Sequence, residues 1–146
     1  LPLNVASLQS DLEALFSNPP LTAAECAQAW ANAVQAYASG VVPASTTVSA
    51  AASTLATALQ SAFGTPNALT GFDTAFLTLA ATVASGMLPT FVGVPPAAAL
   101  GIDALFDAPQ ASHGAAAGTF ASHIDVWLRT ATASLVLPPF TSTTWT

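Results

Sequence analysis

The chain repeats itself, and the repeat limits what it can fold into. Leu12–Pro20 (LEALFSNPP) and Ile102–Gln110 (IDALFDAPQ) align without a gap at an offset of 90. They share Ala14/Ala104, Leu15/Leu105, Phe16/Phe106 and Pro19/Pro109. An intermediate copy, Leu59–Asn67 (LQSAFGTPN), lies at offset 47 and keeps Leu12/Leu59, Phe16/Phe63 and Pro19/Pro66, with Leu8/Leu55 upstream. The second half of the unit recurs too. Trp30, Phe76 and Phe120 correspond, as do Tyr37, Val83 and Trp127, and YASGVVP (Tyr37–Pro43) answers VASGMLP (Val83–Pro89). The third copy departs from the pattern: Arg129-Thr130-Ala131 replaces the Ser-Gly, and Pro138 comes late. A unit of about 45 residues repeated three times is one supersecondary element that must bury its apolar faces against its neighbours.

Each unit reads as a helical hairpin. Leu8, Leu12, Leu15 and Phe16 form an i, i+4, i+7, i+8 stripe, repeated by Leu55, Leu59, Ala62 and Phe63 and by Ala98, Ile102, Leu105 and Phe106. Pro19, Pro66 and Pro109 then stop the first helix, since proline lacks the donor and restricts its neighbour. The second helix carries Trp30, Val34 and Tyr37, matched by Phe120, Ile124 and Trp127. Thr22 before Glu25 reads as a capping box, and Thr70 before Asp73 as a similar start. Gly40 and Gly86 stand where a helix end takes a left-handed residue, with Pro43 and Pro89 beyond them. The expected fold is therefore all-α. Helices are predicted over 4–17, 22–39, 48–63, 71–85, 96–106 and 115–133. They make one domain, residues 1–134, of three packed hairpins (about 3–45, 48–92 and 93–134). Residues 135–146 are expected to be an extended tail. Val41-Val42 and Leu135–Leu137 are too short for a sheet of their own but could pair with a neighbouring chain.

Charge is scarce: one Arg, no Lys and seven carboxylates, 5% charged residues against roughly 25% in an average soluble protein. One cation cannot neutralise a run of phosphates, which excludes nucleic acid as a partner. Attraction to an anionic membrane surface fails for the same reason. With 53% apolar residues the chain has ample material for a core, and its surface is neutral and partly apolar, suited to burial in an assembly. The most apolar run, Phe76 to Gly101, is interrupted by Gly86, Pro89, Gly93, Pro95 and Pro96 and has no flanking Lys or Arg, so it does not read as a membrane span. The N-terminal stretch has no cationic start and carries Asp11 and Glu13, unlike a signal peptide. Beginning at Leu1 rather than Met, it fits a processed or non-standard start.

Few residues could carry chemistry. His113 and His123 are ten residues apart and do not share a helix face, so they read as a solvated loop residue and a packed or surface one. Cys26 excludes an internal disulfide. It has no neighbouring base and adjoins Glu25, which disfavours a thiolate, so it reads as a small packed side chain. Asp11 and Glu13 point apart on one helix, and Asp103 and Asp107 read as a solvated helix end. Trp30, Tyr37, Phe120 and Trp127 read as core. Asp125 and Arg129 stand at i, i+4. They form either a local ion pair or, through the single cation Arg129, a contact to a carboxylate of another subunit. In the tail, Trp145 is a candidate anchor for a partner pocket, and Pro138 and Phe140 are further candidates for the same interface. No catalytic or metal-ligating residue is assigned, and no cofactor is expected.

Three stretches carry a resemblance: LNVASLQSDLEALF, AQAWANAVQAYASGVV and FASHIDVWLRTATASLVLPP, the last ending in Ile124, Asp125, Trp127, Thr130, Ala131 and Thr132. The chain resembles the small, low-charge, Ala/Ser/Thr-rich structural proteins of tailed bacteriophage virions. The resemblance implies a particle component of the tail, baseplate or neck, assembled in the host cytoplasm. It also implies many copies packed against one another and against other virion proteins, and no catalysis. The competing expectation is a small helical-bundle protein holding an apolar ligand, such as a lipid, between its hairpins.

Overall fold

The computed structural model describes residues 2–66 and 68–146; Leu1 and Asn67 lie outside it, as do the side chains of Leu69, Asp103 and Asp107. The described residues form helices α1 (Val5–Ser17), α2 (Ala23–Ala38), α3 (Val48–Phe63), α4 (Ala68–Ser85), α5 (Asp103–Asp107) and α6 (His113–Leu128). Strands β1 (Phe91–Val94), β2 (Thr132–Leu135) and β3 (Ser142–Thr144) complete the fold. The molecule is a helical bundle with a small sheet. Consecutive helices α1 to α4 pack side by side, and α6 returns against α1. Among the described residues no helix is long and apolar enough to cross a membrane.

The repeat has a physical purpose in the core. Leu8, Leu12 and Leu15 of α1 and Leu55, Leu59 and Ala62 of α3 are buried. The recurring phenylalanines of the three units converge on one aromatic cluster. Phe16 meets Trp30 at 5.8 Å and Phe120 at 5.6 Å between ring centroids; Phe106 meets Phe120 at 5.0 Å; Phe63 reaches Phe72, which stands edge-on to Trp30 at 5.1 Å. Edge-to-face contacts of this kind add about 0.5–1.5 kcal/mol each beyond the area they bury. Trp30, Tyr37, Phe120 and Trp127 are all buried, as their spacing predicts.

The helix ends show where local signals held and where they gave way. Thr22 caps α2, its hydroxyl accepting from the Glu25 N–H at 3.2 Å. Thr70 caps nothing, because α4 already starts at Ala68. Instead the Asp73 carboxylate accepts from the Ile102 N–H at 3.1 Å and fixes the entry to α5. The predicted helix over 96–106 shrinks to Asp103–Asp107. The Trp127 indole N–H donates to the Ala98 carbonyl at 2.8 Å, and the His123 ring nitrogen Nε2 bonds the Leu100 carbonyl, so these acceptors serve α6 and not a helical ladder. Gly101, with φ +69°, makes the bend that follows.

Neither Gly40 nor Gly86 is left-handed. Gly86 is required by crowding: a Cβ there would lie 2.2 Å from Thr47 Oγ1 and 2.3 Å from Ser45 Oγ. Those hydroxyls cap α4 from across the bundle. Ser45 donates to the Val83 carbonyl at 2.7 Å, Thr46 to Gly86 at 3.2 Å and Thr47 to Thr82 at 2.5 Å. Carbonyls left without partners at the helix end are thereby satisfied.

The tail is extended, as expected, and it folds back onto the body of the chain. Helix α6 ends at Leu128, five residues before the predicted 133, and the chain turns into an antiparallel sheet of order β1-β2-β3. Phe91 pairs with Leu135 and Val94 with Thr132; Thr132 pairs with Thr144 and Ser134 with Ser142. Beyond β3, Thr146 exchanges two backbone hydrogen bonds with Val42 at 2.8 and 3.1 Å, so Val42 finds its partner within the chain. Trp145 is 0% exposed and donates its indole N–H to the Thr132 carbonyl at 3.0 Å. Neither Val41-Val42 nor the tail awaits a neighbouring chain for its pairing.

Replacing Trp145 with Ala should cost about 3–5 kcal/mol, the usual loss for a buried aromatic, read as a lowered midpoint in urea unfolding; an unchanged midpoint would contradict the packed tail. Gly86→Ala should lower stability by about 1–3 kcal/mol through overpacking, because both the capping hydroxyls and the α4 backbone must move.

Candidate interaction surface

The ends of α2 and α6 and the sheet lie at one end of the bundle, here the sheet end. The connections α1–α2 and α3–α4 and the start of α6 lie at the other, the loop end. The single cation belongs to the sheet end. Arg129 Nε donates to Asp125 Oδ2 at 2.9 Å, and its Nη2 donates to the Leu3 carbonyl at 3.0 Å. The second oxygen of Asp125 accepts from the Tyr37 hydroxyl at 2.5 Å. This network ties α2, α6 and the residues before α1 together. The local ion pair expected from the i, i+4 spacing is present, worth a few tenths of a kcal/mol for a side chain a third exposed. The tertiary partners Tyr37 and Leu3 had no signal in local spacing. Burial, reinforced by the hydrogen bond to Asp125, pushes the Tyr37 phenol well above its ordinary value. The same hydrogen bond raises Arg129.

The sheet has two unlike faces. Inward, Phe91, Gly93, Ala133 and Leu135 lie toward α4, so close that a Cβ on Gly93 would sit 2.8 Å from the Ala84 backbone. Outward, alternation places Val92 and Val94 beside Ser134, Thr132 and Val136, with Ser142 and Thr144 across the next strand. The Ser134 and Ser142 hydroxyls meet at 3.0 Å on that face. Val92, Val94 and Val136 are exposed. The turn between β2 and β3 continues the apolar surface: Leu137 is 72% and Phe140 61% exposed, with Pro138 and Pro139 between them. Phe140 holds φ at +54°, a backbone region that bulky residues seldom occupy. Leu88 and Val42 are exposed in the connections at the same end.

Charge divides along the long axis. Residues 38–48, 86–97 and 130–146, which build the sheet end, contain no Asp, Glu, Lys or Arg. Apart from Asp125 in its network, the described carboxylates stand along or toward the loop-end half, with Asp11 and Glu13 on α1, Glu25 at the start of α2 and Asp73 early in α4. The outer faces of α3 and α4 are also uncharged, and their hydroxyls turn back on their own helices. Ser53, Thr54, Thr57, Thr74, Thr78 and Thr82 each donate to the carbonyl four residues earlier at 2.9–3.2 Å. A surface whose hydroxyl donors are already engaged presents mostly methyl groups and lone pairs.

The predicted interface residues thus separate. Pro138 and Phe140 are exposed on the turn. Asp125 and Arg129 are engaged within the chain, and Trp145, expected to be a free anchor, is part of the core. The exposed valines of β1 carry no strand signal in the sequence, because FVGV lies inside the long apolar run Phe76–Gly101.

Elsewhere the molecule offers little for chemistry. Among the described residues no three His, Cys, Asp or Glu side chains stand close enough to hold a metal ion. Burial pushes the half-buried Cys26 thiol up, away from reactivity at neutral pH. His113 opens α6 at the surface, where a loop was expected. An open cleft of about 700 Å³ lies between Leu3–Ser7 and Ala36–Gly40, with Tyr37 in its wall. No protein-family model, no curated protein and no solved structure matches this chain.

The Tyr37 phenol yields a pH prediction. The folded state holds the proton while the unfolded chain releases it near the ordinary tyrosine value of about 10. Its contribution is therefore fully present below pH 10 and is lost as pH rises above it. Unfolding midpoints measured from pH 8 to 11 (a range set around that value) should fall at the alkaline end, and Tyr37→Phe should flatten that fall. An identical alkaline profile in the variant would contradict the assignment.

Proposed function

We propose that this chain is a structural component of a tailed-phage virion, in the tail, baseplate or neck, acting by protein–protein packing and not by catalysis. The observation that carries the packing reading is the charge-free sheet end with its exposed Val92, Val94, Leu137 and Phe140. Contiguous exposed apolar surface of this kind on a soluble fold marks a contact with another macromolecule. The absence of charge at this end suits a partner that is always present, since such a surface has little to keep it soluble alone. The sequence resemblance to low-charge virion proteins supplies the particle setting, with assembly in the host cytoplasm and other virion proteins as partners.

A second reading, a bundle that binds an apolar ligand, has one observation in its favour, the cleft beside Tyr37. That cleft is open to solvent and lies between the start of α1 and the end of α2, not between hairpins in the core.

Native mass spectrometry of the purified protein separates the two. The packing reading expects oligomers free of small molecules. A monomer carrying an apolar adduct would overturn it in favour of the ligand binder.

A further inference from the structure

We infer that the sheet end is a self-association face, and that two copies of this chain meet there about a two-fold axis, outward sheet face against outward sheet face. The inference rests on the packing reading above and names its first partner. Two facts about charge suit a second copy as the partner. A charged group buried against this end would find no counter-charge outside the Asp125–Arg129 pair, and that pair already binds itself and the Leu3 carbonyl. The same end of another copy brings no ionisable side chain of its own beyond that network. The net charge of −6 does not oppose the pairing. A helix of 16 residues such as α2 is about 24 Å long. Two bundles joined at their sheet ends therefore hold most of their carboxylates tens of ångströms apart, well beyond the screening length of about 8–10 Å. An arrangement that joins the loop ends about the start of α2 brings the exposed Glu25 of both copies near one another.

Shape agrees. Facing sheets pack about 10 Å apart with interdigitating side chains, and the β-branched Val92, Val94 and Val136 suit that spacing. The area is limited. Four residues at about 3.3 Å by three strands at about 4.8 Å cover roughly 13 by 14 Å, far short of the roughly 800 Å² per partner of a standard interface. Leu88, Leu137 and Phe140 must complete the contact from its rim. The result is a concentration-dependent dimer that dissociates on dilution.

Sedimentation velocity from about 1 µM to about 1 mM, spanning weak association, should show monomer passing to dimer. The double variant Val92→Glu/Val94→Glu should remain monomeric throughout. Val92→Thr/Val94→Thr, which keeps the β-branched shape and so guards against loss of the fold, should weaken the dimer about tenfold or more. Leu21→Glu, at the fully exposed loop end, should dimerise as the wild type does. A wild type that is monomeric at about 1 mM overturns the inference. So does a dimer indifferent to both β1 variants, which places the contact on another face and leaves the packing reading intact. A monomer with a bound apolar molecule overturns both.

Discussion

Everything in this fold follows from having to satisfy polar groups almost without charge. Most proteins finish helix ends and surfaces with Lys, Arg, Asp and Glu; this chain has a single cation. Its solutions are neutral ones. Hydroxyls of Ser45, Thr46 and Thr47 cap α4, and the Trp127 and Trp145 indoles and the His123 ring take up backbone carbonyls. None of the buried side-chain nitrogen and oxygen atoms described lacks a partner. The one charged network, Tyr37–Asp125–Arg129–Leu3, sits where three segments meet and nothing local would hold them. Neutral hydrogen bonds give about 1 kcal/mol each, so stability here depends on their number and on the aromatic cluster beneath them.

The same constraint shapes the surface. A chain that cannot cover itself with charge must either present engaged hydroxyls, as on the outer faces of α3 and α4, or leave apolar side chains exposed, as at the sheet end. The two solutions occupy different parts of the molecule, and most of the described carboxylates stand away from the sheet end. The molecule is therefore polar along its axis in the chemical sense, neutral at one end and acidic toward the other. That polarity, more than any cleft, is what a partner would read.

Much of the helical part was legible in the sequence because it rests on strong periodic signals. The Leu/Phe stripes and the following prolines place α1, α2 and α3 to within a residue or so. Legibility ended where tertiary contacts outweighed local preference. The stripe Ala98, Ile102, Leu105 and Phe106 has helical spacing, but α6 side chains claim the carbonyls that a helix would need. Gly86 was read for its backbone freedom, whereas it is needed for its missing side chain, which lets the Ser45–Thr47 hydroxyls through. The sheet is the clearest case. Its strands are three or four residues long and distant in sequence, and only their pairing reveals them. For the candidate surface, Pro138 and Phe140 were visible as unusual tail residues, while Trp145 looked equally free; only the hairpin geometry shows that one large residue faces out and the other in.

In the proposed packing role, the charge-free sheet end, and not the acidic loop end, is where this protein meets others. Hydrogen exchange compared between dilute and concentrated solution tests it most directly, since backbone amides report protection segment by segment. Exchange should slow on concentration in residues 90–94, 132–136 and 140–144, with no change in 17–23 or 108–113. Protection that rises at the loop-end segments while the strands stay unchanged would contradict it.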